Sequence, residues 1–266
     1  MRALLLAAGF GTRLGPLGEA QPKALLDVGG RPAIECCAGA VEALPEVAAL
    51  DVVTNARFHA QMVGWADARA RRGGCKPVRV WNDGARTPGE RRGAMGDVAF
   101  WLARARPAVP VLLLAADNVF DFPLAPLADH ARREPTVVVY DVGSLERVTR
   151  LASVELDPQG RVVRFVEKDP APTTTLACVA LYGLPTDALG EVERYLDAGG
   201  VPDNLGYFVE WLHRRRPVRG LELAGRWVDV GTPDDVARAR ALFPPGAATP
   251  APAAAAGASV SGAGRG

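Results

Sequence analysis

The chain has 266 residues and sets 31 Lys and Arg against 30 Asp and Glu, for a formal charge of +1. At roughly 150 residues per domain that allows one large unit or two small ones with surface enough to bury a sizeable core, and a 48% hydrophobic, 23% charged composition is that of an ordinary globular protein. The near-zero charge excludes a general nucleic-acid binder or a polybasic membrane protein, and no apolar run approaches the ~18 residues of a membrane helix.

The chain opens on an apolar stretch over 3–8, interrupted at once by glycines. That is the length of a strand and not of a signal peptide. Further compact apolar runs at 50–54, 78–81, 109–116 and 136–140 read as strands covered on both faces. Between them the period is helical: a helix is expected over 33–44, Phe58, Met62 and Trp65 recur at i, i+4 and i+7, and Met95, Val98, Ala99 and Leu102 repeat the stripe, as do Leu124, Leu127, Ala128 and Ala131. Strand–helix repetition predicts right-handed crossovers and a mostly parallel sheet between helical layers. After about residue 148 the pattern changes, with strand-like runs at 153–156, 161–168 and 175–182 and a turn at 157–160; no linker intervenes, so these form an antiparallel section of the same sheet. Helices return at 186–196 and 205–214. A last helix opens at TPDD, residues 232–235, with a Thr cap, Pro at the first helical position and Asp at the third. One unit therefore spans 1–243. Residues 244–266 contain no aromatic residue and only Arg265 as a charge. They read as a disordered tail, with a short helix around Ala253 as the alternative.

Cys36, Cys37, Cys75 and Cys178 include no CxxC and have no His at zinc-ligand spacing, so neither a disulfide scaffold nor a zinc module is indicated, and the expected location is cytoplasmic. Chemistry enters at AGFGTRLG, residues 8–15. Two glycines separated by one residue let the backbone approach a ligand and turn its N–H groups toward an anion. A helix expected just beyond would add its dipole, and Arg13 offers a fixed fork of donors for phosphate oxygens. Alone, such a pair of glycines is better read as a structural turn. A dinucleotide fingerprint would need Gly or Ala where Leu14 stands, and the Gly-Lys-Ser/Thr of a P-loop occurs nowhere. A second motif follows closely: QPKALLDVGGRP at 21–32, in which Lys23 follows a proline that fixes the backbone approach.

Together GFGTRLGPL at 9–17 and QPKALLDVGGRP at 21–32 resemble the N-terminal signature of sugar-1-phosphate nucleotidyltransferases, also called nucleotide-sugar pyrophosphorylases. Glucose-1-phosphate thymidylyltransferase and its uridylyl, guanylyl and cytidylyl relatives belong to that family, and the resemblance continues to about residue 243. It implies an α/β fold, a Rossmann-like three-layer nucleotidyltransferase (glycosyltransferase-A-like) domain with a predominantly parallel mixed sheet. It implies Mg²⁺-dependent joining of a nucleoside triphosphate, dTTP or UTP favoured, to a sugar 1-phosphate, giving a nucleoside-diphosphate sugar and pyrophosphate. The triphosphate contacts carry over to Ala8, Gly9, Gly11, Thr12, Arg13 and Lys23, with Arg13 and Lys23 as the catalytic pair. GAMGD at 93–97 resembles the family's GTAGA, where backbone meets base, which adds Gly93. LAADN at 114–118 resembles Gly-Asp-Asn and makes Asp117 a magnesium ligand; WVDVGT at 227–232 resembles Trp-x-Asp-x-Gly-Thr and makes Asp229 the second. VEKDP at 166–170 resembles Glu-Glu-Lys-Pro and assigns Glu167 and Lys168 to the sugar phosphate. The implied partners are small molecules, with no nucleic acid and no membrane; a homo-oligomer stays open.

The residues themselves bear on these assignments. Asp117 follows an apolar run and so emerges at a strand's carboxyl end, where open parallel sheets bind ligands; a turn Asp is the competing reading. Asp229 stands among Trp227, Val228 and Val230, where a carboxylate is costly unless a cation or donors meet it, and Thr232 is better placed than Asp229 to cap the next helix. Nucleotidyl transfer needs alignment and charge neutralisation and no covalent nucleophile, with Arg13 answering the departing pyrophosphate and Lys23 the α-phosphate. Strict alternation over 162–168 puts Val163, Phe165 and Glu167 on one face and Val162, Val166 and Lys168 on the other. A bulge, or strand termination at 169–170, is then required for Glu167 and Lys168 to share a ligand; a solvated charge pair is the alternative.

His59, His130 and His213 read as surface or packing residues, Cys36 and Cys37 as small core residues, and Arg214–Arg216 with Arg219 as a solvated helix end. Arg91 and Arg92 precede the expected base loop. The chain also departs from the family's pattern. Residues 82–92 are longer than the usual base loop, Asp97 stands where Ala is common, LASVE at 151–155 replaces Tyr-Gly-Val-Val-Glu, and Ala180 stands at a usual glycine. Extra volume there suggests an unusual acceptor. The readings left open are a nucleotidyltransferase for a non-sugar phosphate such as choline phosphate, and a catalytically silent nucleotide-sugar-binding regulatory protein.

Overall fold

Residues 2–6 read RALLL, and the middle three are fully buried, Ala3 and Leu5 in one apolar cluster and Leu4 in another. A strand covered on both faces is the centre of a layered fold. The computed structural model describes residues 1–246. In chain order β1 (Arg2–Leu6) passes through a 3-10 turn (Thr12–Leu14) and α1 (Pro16–Ala20) to the paired β2 (Asp27–Val28) and β3 (Arg31–Pro32). There follow α2 (Ile34–Glu42), β4 (Leu50–Thr54), α3 (His59–Arg72), β5 (Val78–Asn82), α4 (Ala94–Ala105), β6 (Val111–Ala115), β7 (Asn118–Phe120), α5 (Ala125–Ala131), β8 (Thr136–Asp141) and α6 (Leu145–Val148). The remainder supplies β9 (Ala152–Leu156), β10 (Val162–Glu167), β11 (Leu176–Leu184), α7 (Gly190–Asp197), α8 (Leu205–Leu212), β12 (Arg219–Glu222), β13 (Trp227–Asp229) and α9 (Pro233–Leu242).

A nine-stranded mixed sheet runs β10-β9-β11-β6-β1-β4-β5, with β8 paired to β11 and β12 to β8. Strands β5, β4, β1 and β6 are parallel neighbours, and β11 joins β6 antiparallel. The later strands thus extend the same sheet, as the absence of a linker predicted. Apolar residues of α2, α3, α5 and α9 pack in the cluster on one face, and those of α4, α7 and α8 in the cluster on the other. These are the three layers of the expected α/β fold. The predicted capping box is present: the Thr232 side chain accepts from Asp235 N while the Asp235 carboxylate accepts from Thr232 N. Cys36 and Cys37 are buried in α2, and the Cys36 thiol, pushed up to about 12 by burial, donates to Phe120 O.

Several expectations are corrected. The helix after the glycine loop is a 3-10 turn followed by five residues, so little dipole is available there. Val163 and Phe165 do not share a face: a bulge between Val162 and Arg164 leaves Val163 57% exposed and Phe165 1% exposed. Arg219 opens strand β12 instead of ending a helix, and its guanidinium binds Glu134 and Gln159 O. Arg214 and Arg216, close after α8, pair with Glu210 and Asp187. The tail expectation falls, apart from its first three residues, outside the described residues. No helix among those described is long and apolar enough to cross a membrane.

Candidate active site

The parallel strands β1, β4 and β6 end side by side, Leu6 opposite Val53 and Ala115 in register. At that carboxyl edge the chain must leave the sheet, and a cavity of about 610 Å³ opens there. From β1 the backbone continues through Ala7, whose N–H donates to Val53 O, and Ala8, whose carbonyl accepts from Asn55 Nδ2. At Gly11, φ is +65°, and the loop lies so close to Gly18 that a Cβ on Gly18 would fall on the Gly11 carbonyl. The glycines fold this loop tightly. Ala8, Gly9 and Arg13 border the cavity; Gly11 and Thr12 stand behind them in the loop, where Gly11 supplies the left-handed turn. Arg13 is exposed and makes no ion pair among the described residues.

Asp117 lies in the turn between β6 and β7 and Asp229 ends β13. These two short strands pair with each other, Asp229 opposite Asn118, tied by Val230 N to Asp117 O at 3.0 Å and Trp227 Nε1 to Asn118 Oδ1 at 2.6 Å. Both aspartates border the one cavity. Lys23 forms an ion pair and hydrogen bond with Asp117. Burial works against its ammonium, but Asp117 and then Asp229 outweigh it, and its pKa is raised. Asp229 is pushed up to about 6, by burial first and the Asp117 charge second. Its Oδ1 is shut from solvent without a hydrogen-bond partner. No group of three or more His, Cys, Asp and Glu suited to a metal occurs among the described residues. A pair of adjacent carboxylates with one orphaned oxygen nevertheless fits Mg²⁺, which takes one or two protein carboxylates and completes its shell with phosphate and water.

Further along, β10 brings Glu167 and Lys168 to the same cavity. The bulge lies too early in β10 to do this. Lys168 itself turns left-handed, φ +53°, with its N–H on Leu151 O at 2.8 Å. Glu167 accepts from Asn204 Nδ2 at 3.0 Å and is raised by burial, with the Lys168 charge opposing; a Cβ on Gly206 would fall on its Oε2. Ala180, also left-handed at φ +55°, lies in the register shift of β11 between Cys178 and Tyr182, and all three border the cavity.

At the part of the rim where the GAMGD motif stands, Gly93 caps α4 with φ +78°, and a Cβ there would strike Pro202 O. The carbonyls of Pro202 and Asp203 accept from Ala94, Met95 and Gly96 N–H, so this helix N-terminus is already filled. Arg91 pairs with Asp203, and Arg92 Nε donates to Asp83 O. Beneath them Asp83 and Asp97 are buried and hydrogen-bonded to each other, and Asp97 is pushed up to about 8 by burial and the Asp83 charge. Asp83, Arg91, Arg92, Arg150 and Asn204 border the cavity beyond the motif residues, as does Asp97 at the end of GAMGD. In sequence Asp97 shows only as an acid where the family usually has Ala, and Arg91 and Arg92 only as residues preceding the expected base loop.

Comparison with known proteins follows the same outline. A family model described as Nucleotidyl transferase matches residues 2–243. A mannose-1-phosphate guanyltransferase of Schizosaccharomyces pombe is 28% identical over 252 residues, which is 91% of this chain and 64% of the relative; the chain thus spans a little under two thirds of that protein. Among solved structures, a candidate glucose-1-phosphate thymidylyltransferase from Bacillus anthracis superposes with a TM-score of 0.73 at 19% identity, covering 91% of this chain and 95% of that one. A UDP-glucose pyrophosphorylase complexed with UDP-glucose superposes with a TM-score of 0.74 at 18% identity, covering 90% and 97%. These likenesses establish the fold.

Proposed function

The chain belongs to the nucleotidyl transferase family, and from that premise we propose that residues 1–243 join a nucleoside triphosphate to a sugar 1-phosphate, giving a nucleoside-diphosphate sugar and pyrophosphate, in the cytoplasm. One observation carries the reading: Arg13, Lys23, Asp117, Glu167, Lys168 and Asp229, drawn from distant segments, border a single cavity.

In the reaction an oxygen of the sugar phosphate attacks the α-phosphorus in line; the bond from the α-phosphorus to the bridging oxygen breaks, and pyrophosphate leaves with the electron pair. Aligned substrates and neutralised charge account for most of the acceleration such a transfer needs. Arg13, exposed and without a carboxylate partner, is free to meet the departing pyrophosphate. Lys23 is held on Asp117 with two further ammonium hydrogens to give, and serves the α-phosphate from there. Lys168 meets the acceptor phosphate, and Glu167, held by Asn204, accepts from sugar hydroxyls. Asp117 and Asp229 would hold Mg²⁺, which when bound neutralises charge on the triphosphate oxygens.

For the base, dTTP and UTP stand as the expectation from the motifs, while the fission-yeast relative, a mannose-1-phosphate guanyltransferase, points to GTP with mannose 1-phosphate. Pyrophosphate exchange with Mg²⁺ across GTP, dTTP and UTP, each with mannose 1-phosphate, glucose 1-phosphate and choline phosphate, tests the reading. One sugar-phosphate pair is expected to turn over, with Asp117→Ala lowering the rate by about 10²-fold or more. Turnover with choline phosphate alone would move the acceptor outside the sugars. Ligand binding without exchange, unaffected by Asp117→Ala, would make the chain a regulatory binder.

A further inference from the structure

The sheet separates two groups of cations at the cavity. Arg13 and Lys23 follow β1, and Asp117 follows β6, one strand over. Beyond β11, at the start of β9 and the end of β10, stand Lys168 and a residue no motif contains, Arg150. Three strand spacings lie between β1 and β9, about 14 Å at ~4.8 Å each. The two groups thus stand apart along the rim of the cavity.

Arg150 is brought there by a short, well-defined path. After β8 the Ser144 hydroxyl caps α6, Arg147 Nη1 donates to Val142 O at 3.0 Å, and Arg150 N donates to Arg147 O. The next residue, Leu151, accepts from Lys168 N at 2.8 Å, and Ala152 lies opposite Glu167 in the ladder. Arg150 and Lys168 are therefore neighbours across two strands' ends, and both border the cavity and are exposed. Neighbouring arginines are satisfied: Arg147 by Val142 O, Arg164 by Asp169 and Glu155, Arg219 by Glu134. The Arg150 guanidinium has no ion pair or hydrogen bond among the described residues. Two cations without carboxylate partners on one rim, one of them a planar fork, match a phosphate monoester dianion.

We propose that Arg150 is a second cation of the acceptor subsite, which grips the acceptor's phosphate together with Lys168 where β9 starts and β10 ends, while leaving the triphosphate to Arg13 and Lys23. This rests on the reading that the acceptor is a phosphate monoester. Replacing an exposed side chain without partners disturbs the fold little, so Arg150→Gln and Arg150→Lys are clean variants. With the substrate pair that the exchange screen identifies, Arg150→Gln is expected to raise the KM for the acceptor by about tenfold or more, the worth of a charge-assisted hydrogen bond. The KM for the triphosphate should stay within about twofold, and Arg150→Lys should recover part of the loss. An unchanged acceptor KM, or an equal rise for both substrates, overturns the proposal. If no pair turns over, the enzymatic reading fails on its own, and calorimetric titration with glucose 1-phosphate and mannose 1-phosphate decides Arg150. Weakening of about tenfold in Arg150→Gln supports the subsite; equal binding by both proteins, or none by the wild type, overturns it.

Discussion

Asp97 projects from the first turn of α4 into a wall where Asp83 already carries the charge, and its Oδ1 finds no partner. In the folded chain it keeps its proton up to about pH 8; unfolded, it would lose it near the ordinary ~3.9. Between those values the native state holds more protons, so stability falls as pH rises and levels off above the folded pKa. Asp97→Asn keeps a neutral donor to Asp83 and removes the titration. From about pH 6 to about pH 9 the wild type is expected to lose melting temperature relative to the variant, by about 2–4 °C per kcal/mol in a domain this size. Parallel melting curves across that range would refute the account. In sequence Asp97 registers only as a departure from pattern, because the partner that gives it meaning, Asp83, is brought in by β5 and not by α4. Ala180 and Lys168 behave likewise. Their letters were legible, yet a left-handed backbone at a non-glycine residue is imposed by the surrounding sheet and costs order 1 kcal/mol that no local pattern announces. Both border the cavity, where such strain tends to be kept.

Among elements, those whose apolar period is long or continuous were readable. β4 falls on the predicted boundaries, and α9 starts where its capping sequence says. Among those that escaped were β7, β12 and β13, of three or four residues, with no period of their own and partners from far along the chain. The same holds for the Pro202–Asp203 segment, whose carbonyls fill the α4 N-terminus. The family-like GAMGD motif predicts a glycine at 93, and the structure supplies a reason beyond ligand approach: a side chain there meets Pro202 O and would have to adopt φ +78°. Gly93→Ala should therefore unfasten this segment from α4 and cost about 1–3 kcal/mol, measured as a lower urea midpoint at unchanged slope. Gly89, where a Cβ would meet only Thr87 Oγ1 at an ordinary 4.0 Å and φ is not positive, is the matched control; Gly89→Ala should be neutral or stabilising by about a few tenths of a kcal/mol. Equal midpoints for the two variants would show that the contact does not hold the helix end.

At the scale of the molecule, the two aspartates meet only because the whole sheet is assembled. Trp227 bonds Asn118 across 109 residues, and the small sheet of β7 and β13 lies over the cluster that includes α2, α5 and α9. The fold thus spends stability to place like charges together. Lys23 is hydrogen-bonded to Asp117 and reaches Asp229 only through its charge, so Asp229 is the acid left raised to about 6 with a buried, unpartnered oxygen. At neutral pH that carboxylate is largely charged and costly. Asp229→Asn removes the charge at constant volume, so it should stabilise the ligand-free protein by order 1 kcal/mol, about 2–4 °C in melting temperature. The same change should lower nucleotidyl transfer by about 10²-fold or more and abolish the rise in melting temperature that Mg²⁺ with the nucleoside triphosphate gives the wild type. Opposite signs for stability and turnover mark a residue kept for its ligand. A variant that melts lower than the wild type without ligand would instead make Asp229 part of the scaffold, held by contacts its carboxylate makes within the protein.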